Sequence, residues 1–385
     1  MLKLNKYSIA LDEVGVVPES PITFSDDDVD LSVDIRSVKL KVPIISAAMD
    51  SVSSDEILAA IANIGGIGII NLCGLISRYK LSEYQTVYRM IAERPELSTL
   101  QMIYNSRPID YEVLSENLHL IRGRFTPQDG LIGVSATPQY AERLFEIAQS
   151  FGIKTMVIQS SFVSPFWRSV KHEGMNILKY TEQLHNKGCT VFVGNVASLD
   201  VAIPFISAGV DAIILGIGPG SICTTRKVLG IGAGHISSIS EVREYIERHR
   251  SLTRLIADGG IANSGDIVKL LCTGAHAVIL GGMFAHTTSA PFCGFHWGMS
   301  APHKLLPRGN LQKFEVDDDD TIDRVLNGPS YRDDGTMAIL PALTNALSNL
   351  GCLNIADAYF KTSVVQFPGI KSEGKNGNRS ASSSR

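Results

Sequence analysis

Eight short apolar runs, separated by helix-like segments, limit what this chain can fold into. They span residues 42–47, 67–71, 131–136, 155–159, 190–194, 212–216, 255–258 and 277–281. Most are continuously apolar rather than alternating, as expected of parallel strands covered on both faces. Between them lie amphipathic stretches such as 139–151 and 240–249. Strand–helix alternation repeated eight times predicts an α/β fold, a (β/α)8 TIM barrel, as a single domain over residues 1–365. The spacing is uneven. About sixty residues separate the second and third runs, and a long segment, 284–349, follows the eighth without clear periodicity. A segment of that length is read as a functional flap. Residues 366–385 are rich in Ser, Gly, Asn, Lys and Arg and read as a flexible tail.

The net charge of −4 over 385 residues supplies no basic surface. Neither a nucleic-acid partner nor membrane attachment is expected, and an anionic substrate has to be held locally, by loops and helix ends. No apolar run reaches the roughly 18 residues of a membrane span, and the first residues lack the apolar core of a signal peptide. The six cysteines are scattered, without a C-x-x-C pair. That pattern predicts free thiols in a reducing cytoplasm rather than a disulfide framework or a zinc site. Two acidic runs, 26–28 and 317–320, lack the alternating ligand spacing of a calcium loop. The second precedes a helix-like stretch whose N-terminus it can complement.

Catalytic groups of a barrel come from the C-terminal ends of its strands. After the first run come Ser46, Ala47, Ala48, Met49 and Asp50; after the fifth come Gly194 and Asn195. The sixth leads into Gly218-Pro219-Gly220-Ser221-Ile222-Cys223-Thr224-Thr225-Arg226. A thiol in a glycine-rich loop, beside hydroxyls and Arg226, suits a nucleophile facing an anionic substrate; the alternative is an inert packing thiol. The seventh run ends in Asp258-Gly259-Gly260 and the eighth in Gly281-Gly282. Glycine pairs on consecutive strands suit a phosphate wrapped by backbone N–H groups, or else only tight turns. Asp258 beside them can accept both hydroxyls of a ribose.

These segments together resemble the IMP dehydrogenase/GMP reductase family. The resemblance rests on the cysteine loop and on Ser46-Ala47-Ala48-Met49-Asp50, Gly194-Asn195-Val196, Ala257-Asp258-Gly259-Gly260 and Gly298-Met299, in the family's order, from about Tyr7 to Ile355. Within it the chain most resembles a subfamily lacking CBS domains, described as IMP dehydrogenase-related and with GMP reductase activity. Its hallmarks stand here as Asn71-Leu72-Cys73-Gly74-Leu75, Val134-Ser135-Ala136-Thr137-Pro138-Gln139, Gly294-Phe295-His296-Trp297-Gly298-Met299, Leu306-Pro307-Arg308-Gly309 and Asp333-Asp334-Gly335-Thr336. The gap between the second and third runs is too short for a pair of CBS modules.

The resemblance implies a covalent mechanism at purine carbon 2, with Cys223 as nucleophile and Thr225 as its catalytic neighbour. It implies a purine ribonucleotide, GMP or IMP, held by Ser46, Met49, Ser221, Asp258, Gly260, Gly281, Gly282, Gly298 and Met299. Ser221 and the glycines 260, 281 and 282 would take the phosphate, Asp258 the ribose, and Gly298 and Met299 the base edge. Ser160, Ser161, Gly194 and Asn195 would border the nicotinamide of NADPH/NADP or NAD. Carbonyls of Gly218, Gly220 and Cys223 would hold a potassium ion. A homotetramer or octamer is implied as well. No G-x-G-x-x-G stands between a strand and a helix, so the choice of nicotinamide nucleotide is unreadable from a Rossmann fingerprint.

Two features divide the family's reactions. IMP dehydrogenases carry an Arg-Tyr pair on a mobile flap, where the arginine activates the hydrolytic water. Here Arg308 is followed by Gly309, and Tyr331 precedes Arg332. GMP reductases pair the threonine with a glutamate to protonate departing ammonia, and Thr288 and Ser289 occupy the glutamate's position. Neither hydroxyl is charged near neutral pH. Asn71 and Leu72 also stand where standard GMP reductases carry a lysine, a change the subfamily shares. The expectation is a GMP reductase-like oxidoreductase. The alternatives are an IMP dehydrogenase, forming XMP and NADH, and a weakly active or inactive nucleotide-binding homologue.

Overall fold

The computed structural model describes residues 8–124, 131–170, 173–220, 222–298, 305–306 and 310–367. Eight parallel strands form the central sheet: β1 (Ile44–Ser46), β2 (Gly68–Asn71), β3 (Ile132–Ala136), β4 (Thr155–Gln159), β5 (Thr190–Val196), β6 (Ala212–Leu215), β7 (Arg254–Asp258) and β8 (Ala277–Leu280). Their spatial order runs β2 to β8 in sequence and returns to β1, through Val278 opposite Ile44. A parallel bridge between Ile45 and Ile67 closes the ring, with Ser46 N–H donating to Ile67 O at 2.9 Å. The fold is the (β/α)8 barrel that the eight runs predict.

Sequence and ladder differ by one or two residues at the ends, for identifiable reasons. β1 starts at Ile44 because Pro43 has no N–H to donate, although its carbonyl accepts from Val278 N (2.9 Å). β5 runs two residues past the predicted end, with its register shifting between Gly194 and Val196. Such an irregularity re-aims one side chain, here that of Asn195.

Helices α1 (Asp55–Asn63), α2 (Tyr84–Glu93), α3 (Leu97–Ser106), α4 (Tyr111–Arg124), α5 (Ala141–Ser150), α6 (Ile177–Asn186), α7 (Leu199–Ser207), α8 (His235–Arg248) and α9 (Ser264–Thr273) link the strands. Caps are side-chain built: Ser54, Asn176 and Asn263 accept from Ile57, Lys179 and Asp266 N–H respectively. The sixty-residue gap holds α2, α3 and α4. α2 and α3 do not join the barrel core. Val87, Ile91, Leu100, Ile103 and Tyr104 pack with Leu75 and Tyr79 against Phe292, Phe295 and Trp297, forming a second apolar core. At about 1.5–3 kcal/mol per fully buried large apolar side chain, this cluster suffices to anchor the segment after β8.

That segment contains α10 (Gly282–Ala285), a short antiparallel pair Phe295–His296 with Gln312–Lys313, α11 (Ile322–Asn327), α12 (Ile339–Asn349) and α13 (Ile355–Phe360). α12 buries Ile339, Leu343 and Leu347, spaced at four residues, and packs with α13 on α9. The latter part of 284–349 is therefore barrel wall rather than irregular flap. Thr362–Gln366 pairs antiparallel with Val14–Pro18. Residues 368–385, most of the predicted tail, lie outside the described residues. Among the described residues no helix is long and apolar enough to cross a membrane.

Candidate active site

The C-terminal ends of β1, β4, β5, β6 and β7 surround a cleft of about 840 Å³, its open mouth included. Its walls are Ala47, Ala48 and Met49 after β1, Gln159 on β4 with Ser160 and Ser161 after it, and Asn195 on β5. The loop Gly216–Gly220 and Ile222–Thr225 follows β6, then Asp258 and Gly259 on β7, Ile279 on β8, and Gly298. Cys223 thus faces the same space as Asp258, Met49 and Gly298.

The cysteine loop folds back on the glycines of β7. Cys223 N–H donates to Gly220 O (3.0 Å), and a Cβ placed on Gly220 would lie 3.7 Å from both Cys223 Cβ and Gly260 N. Gly259 and Gly260 hold φ of 86° and 72°, left-handed values that β-carbon-bearing residues rarely adopt. Thr225 is buried and opens a single π-turn, Thr225–Leu229, a geometry frequent at functional sites. Arg226 does not line the cleft. A Cβ on Gly218 or Gly232 would sit 2.2 or 2.4 Å from Arg226 Cγ, so its stem packs over those two glycines. Gly220 O accepts from Cys223 N–H and keeps its second lone pair. No step is assigned to potassium.

Asp258 is the one formally charged side chain among the described residues of the cleft wall. Its Oδ2 accepts from Asn195 Nδ2 (2.7 Å) and Gln159 Nε2 (3.2 Å). Burial pushes its pKa up to about 6, against the opposing Asn195 hydrogen bond. Its carbonyl is held by His235 Nε2 on α8 at 2.9 Å. A carbonyl only accepts, so that ring nitrogen carries the proton. Burial keeps His235 on the neutral side of its ordinary range.

A second half-buried carboxylate follows Met49. Asp50 accepts from Leu75 N (3.0 Å) and from the Tyr104 hydroxyl, which itself accepts from Trp297 Nε1 (2.9 Å). Burial raises Asp50 to about 6, opposed by Tyr104, the Leu75 N–H and Arg78. The chain Asp50–Tyr104–Trp297 ties the wall at Met49 to the wall at Gly298 through the second core.

The expected site residues fall into four groups. Met49, Ser160, Ser161, Asn195, Gly218, Gly220, Cys223, Thr225, Asp258 and Gly298 line the cleft. Gly260, Gly281 and Gly282 are outside its lining; a Cβ on Gly281 would touch Met49 Sδ at 3.2 Å and Ala47 Cβ at 3.3 Å. Ser46 and Gly194 lie within the sheet. Ser46 is fully buried with its Oγ accepting from Ile69 N (3.0 Å), and a Cβ on Gly194 would meet Ile214 Cβ at 2.5 Å. Ser221, Met299 and Arg308 lie outside the described residues. Gln159 and His235 escaped the sequence reading. A polar residue closing an apolar barrel strand is the signal that marks Gln159.

Thr288 and Ser289 also lie outside the cleft lining. Ser289 Oγ donates to Glu56 Oε1 on α1 (2.6 Å), and Thr288 N–H donates to Asp320 O (2.8 Å). Asp320 is buried and accepts from Tyr331 OH (2.7 Å), Arg332 (2.7 Å) and Asp317 N–H (2.9 Å). Burial pushes its pKa up, but these partners outweigh it and hold the carboxyl below the usual range. Tyr331 and Arg332 are thus both tied to one carboxylate.

A family model, IMP dehydrogenase / GMP reductase domain, matches residues 8–298. The chain is 28% identical over 360 residues to an uncharacterized oxidoreductase of Mycolicibacterium smegmatis, covering 90% of this chain and 93% of that one. It is 27% identical over 372 residues to an inosine-5'-monophosphate dehydrogenase of Methanocaldococcus jannaschii, covering 74% and 73%. The crystal structure of an IMP dehydrogenase/GMP reductase-like protein from Corynebacterium glutamicum superposes with a TM-score of 0.82 at 27% identity, over 94% of this chain and 95% of that one.

Proposed function

The chain belongs to the IMP dehydrogenase/GMP reductase family of oxidoreductases, and on that premise we propose that it is GMP reductase-like, converting GMP to IMP and ammonia. The observation that carries this reading is Cys223 in the loop after β6, in one cleft with Asp258, Met49 and Gly298. Cys223 as thiolate attacks carbon 2 of the purine; the 2-amino group takes one proton from water and leaves as ammonia, and a thioimidate on Cys223 remains. Hydride added at carbon 2 then breaks the carbon–sulfur bond and regenerates the thiolate. NADPH supplies that hydride when bound. Ser160, Ser161 and Asn195 line the same cleft and give the nicotinamide a polar wall. Asp258 holds the ribose, and the backbone at Gly260, Gly281 and Gly282 holds the phosphate. Covalent attachment divides one hard displacement into two easier ones.

The reductase direction is favoured over the dehydrogenase by Tyr331 and Arg332. Both are bound to buried Asp320, leaving no free Arg-Tyr pair in the described part of the flap. A second reading, a nucleotide-binding homologue of low turnover, is favoured by one observation. The carboxylate nearest the expected dyad position, Glu56, bonds to Ser289 and lies outside the cleft lining. A missing general acid costs about 10²–10⁴ in rate. Purified protein mixed with GMP and NADPH decides between them. Consumption of NADPH with equimolar ammonia supports the reductase; GMP binding without either supports the second reading; NADH from IMP and NAD overturns both.

A further inference from the structure

Gln159 closes β4 and is 3% exposed, yet lines the cleft. Its amide orientation is chemically determined. Gly216 O only accepts, so Asn195 Nδ2 must face it (2.7 Å). Asn195 Oδ1 then faces Gln159, whose Nε2 donates to it at 3.0 Å and to Asp258 Oδ2 at 3.2 Å. On the other side Gln159 Oε1 accepts from Ser135 Oγ (3.5 Å), at the end of β3. Asp258 Oδ2 thus receives two N–H donors, enough for both its lone pairs. No described residue engages Oδ1.

We propose that Gln159 is a positioning residue that makes this site select ribo- over 2′-deoxyribonucleotides. Together with Asn195 it saturates Oδ2 and fixes the carboxylate plane, so that Oδ1 meets the ribose diol with both of its lone pairs. The inference rests on the reading of Asp258 as the ribose acceptor. The position also demands a neutral double donor. A carboxylate in place of the Gln159 amide would stand about 3.2 Å from Asp258 Oδ2, and two carboxylates that close share one proton. The titratable groups on the elements around Asp258 are His235 on α8, which burial keeps neutral, and Cys223 in the loop after β6.

The test is calorimetric binding of GMP and of 2′-deoxy-GMP to the wild type, Gln159→Leu and Gln159→Glu. The wild type is expected to prefer GMP by about ten- to a hundredfold, the usual consequence of a hydrogen bond to a charged group. Gln159→Leu is expected to lose most of that ratio while 2′-deoxy-GMP binding changes less than about threefold. Gln159→Glu is nearly isosteric and keeps the question answerable should the leucine variant fail to fold. In it the pH midpoint of GMP binding is expected to rise by about one unit or more. Equal weakening of both ligands, with the ratio kept and the midpoint unmoved, would assign Gln159 a merely structural role and overturn the proposal. A wild type without preference between the two ligands would instead overturn the reading of Asp258 on which the proposal stands.

Discussion

At the N-terminal end of the barrel, Asp211 is 8% exposed and fully partnered: Arg36 at 3.3 Å, His185 Nε2 at 2.8 Å and Val191 N–H at 2.7 Å. At the C-terminal end Asp258 is also walled in, but its described side-chain partners are two neutral amides on a single oxygen. One carboxylate is compensated by cations of the chain, and the other is hydrogen-bonded only by neutral side chains among the described residues. Both ends need a carboxylate next to a β-strand; only the cleft end leaves it without a cation. Asp50 is the instructive intermediate, half-buried like Asp258 but with both oxygens engaged. It braces the cleft wall rather than facing the cavity. Uncompensated charge at the mouth of a barrel therefore separates binding chemistry from scaffolding better than burial does.

The largest expected effect sits at the cleft end. Cys223→Ala is expected to lower GMP-dependent NADPH consumption by about 10⁴-fold or more, with GMP affinity kept within about threefold. Initial rates and calorimetry on the same preparation measure both. The contrast is sharpened from the other end by Asp211→Ala. This removes the acceptor of the buried Val191 N–H and unpairs Arg36, a side chain that stays 43% exposed and so loses little. The expected loss is about 2–3 kcal/mol in denaturant midpoints, with GMP affinity unchanged. If Asp211→Ala disturbed binding as strongly as stability, the division between the two ends would fail.

Asp258→Asn is expected to weaken GMP binding about ten- to a hundredfold. Its effect on stability has a pH signature. The folded value of about 6 lies above the ordinary 3.8, so between those values the folded chain keeps a proton that the unfolded chain has released. Asp258 therefore destabilises the fold increasingly as pH rises from about 4 to about 6. Denaturation at several pH values should show Asp258→Asn gaining on the wild type across that window, with no further change outside it. The smallest effect belongs to Ser289→Glu. The new carboxylate would meet Glu56, which now accepts the Ser289 hydroxyl. The rate is expected to change little, because Ser289 is buried outside the cleft lining. A gain that appears only with Glu56→Gln added would locate the missing acid at this loop.

The barrel was legible because each strand is buried on both faces, which writes it as a local apolar run. The cysteine loop, Asp258 and the glycine pairs were legible because they follow those runs directly. The second core was not. Val87, Ile91, Leu100 and Ile103 find their partners in Phe292, Phe295 and Trp297, about two hundred residues away, and no local pattern carries that pairing. α12 was hidden inside 284–349 because its buried stripe, Ile339, Leu343 and Leu347, is flanked by further apolar residues, Leu340, Ala342 and Ala346, which blur the helical period. Arg226 looked like a partner for the thiol by adjacency alone, whereas its stem packs over Gly218 and Gly232. Asn195 reaches Asp258 only because β5 shifts register at Gly194, and Gly194 is required there because Ile214 leaves no room for a β-carbon.

The central claim is that Cys223 becomes covalently joined to a purine nucleotide in this cleft. Mass spectrometry of acid-quenched protein incubated with GMP tests it directly. The account predicts a purine nucleotide on the peptide carrying Cys223, appearing with GMP, discharged by NADPH and absent from Cys223→Ala. Protein that binds GMP to saturation with Cys223 unmodified at every quench time, and with NADPH untouched, would contradict it.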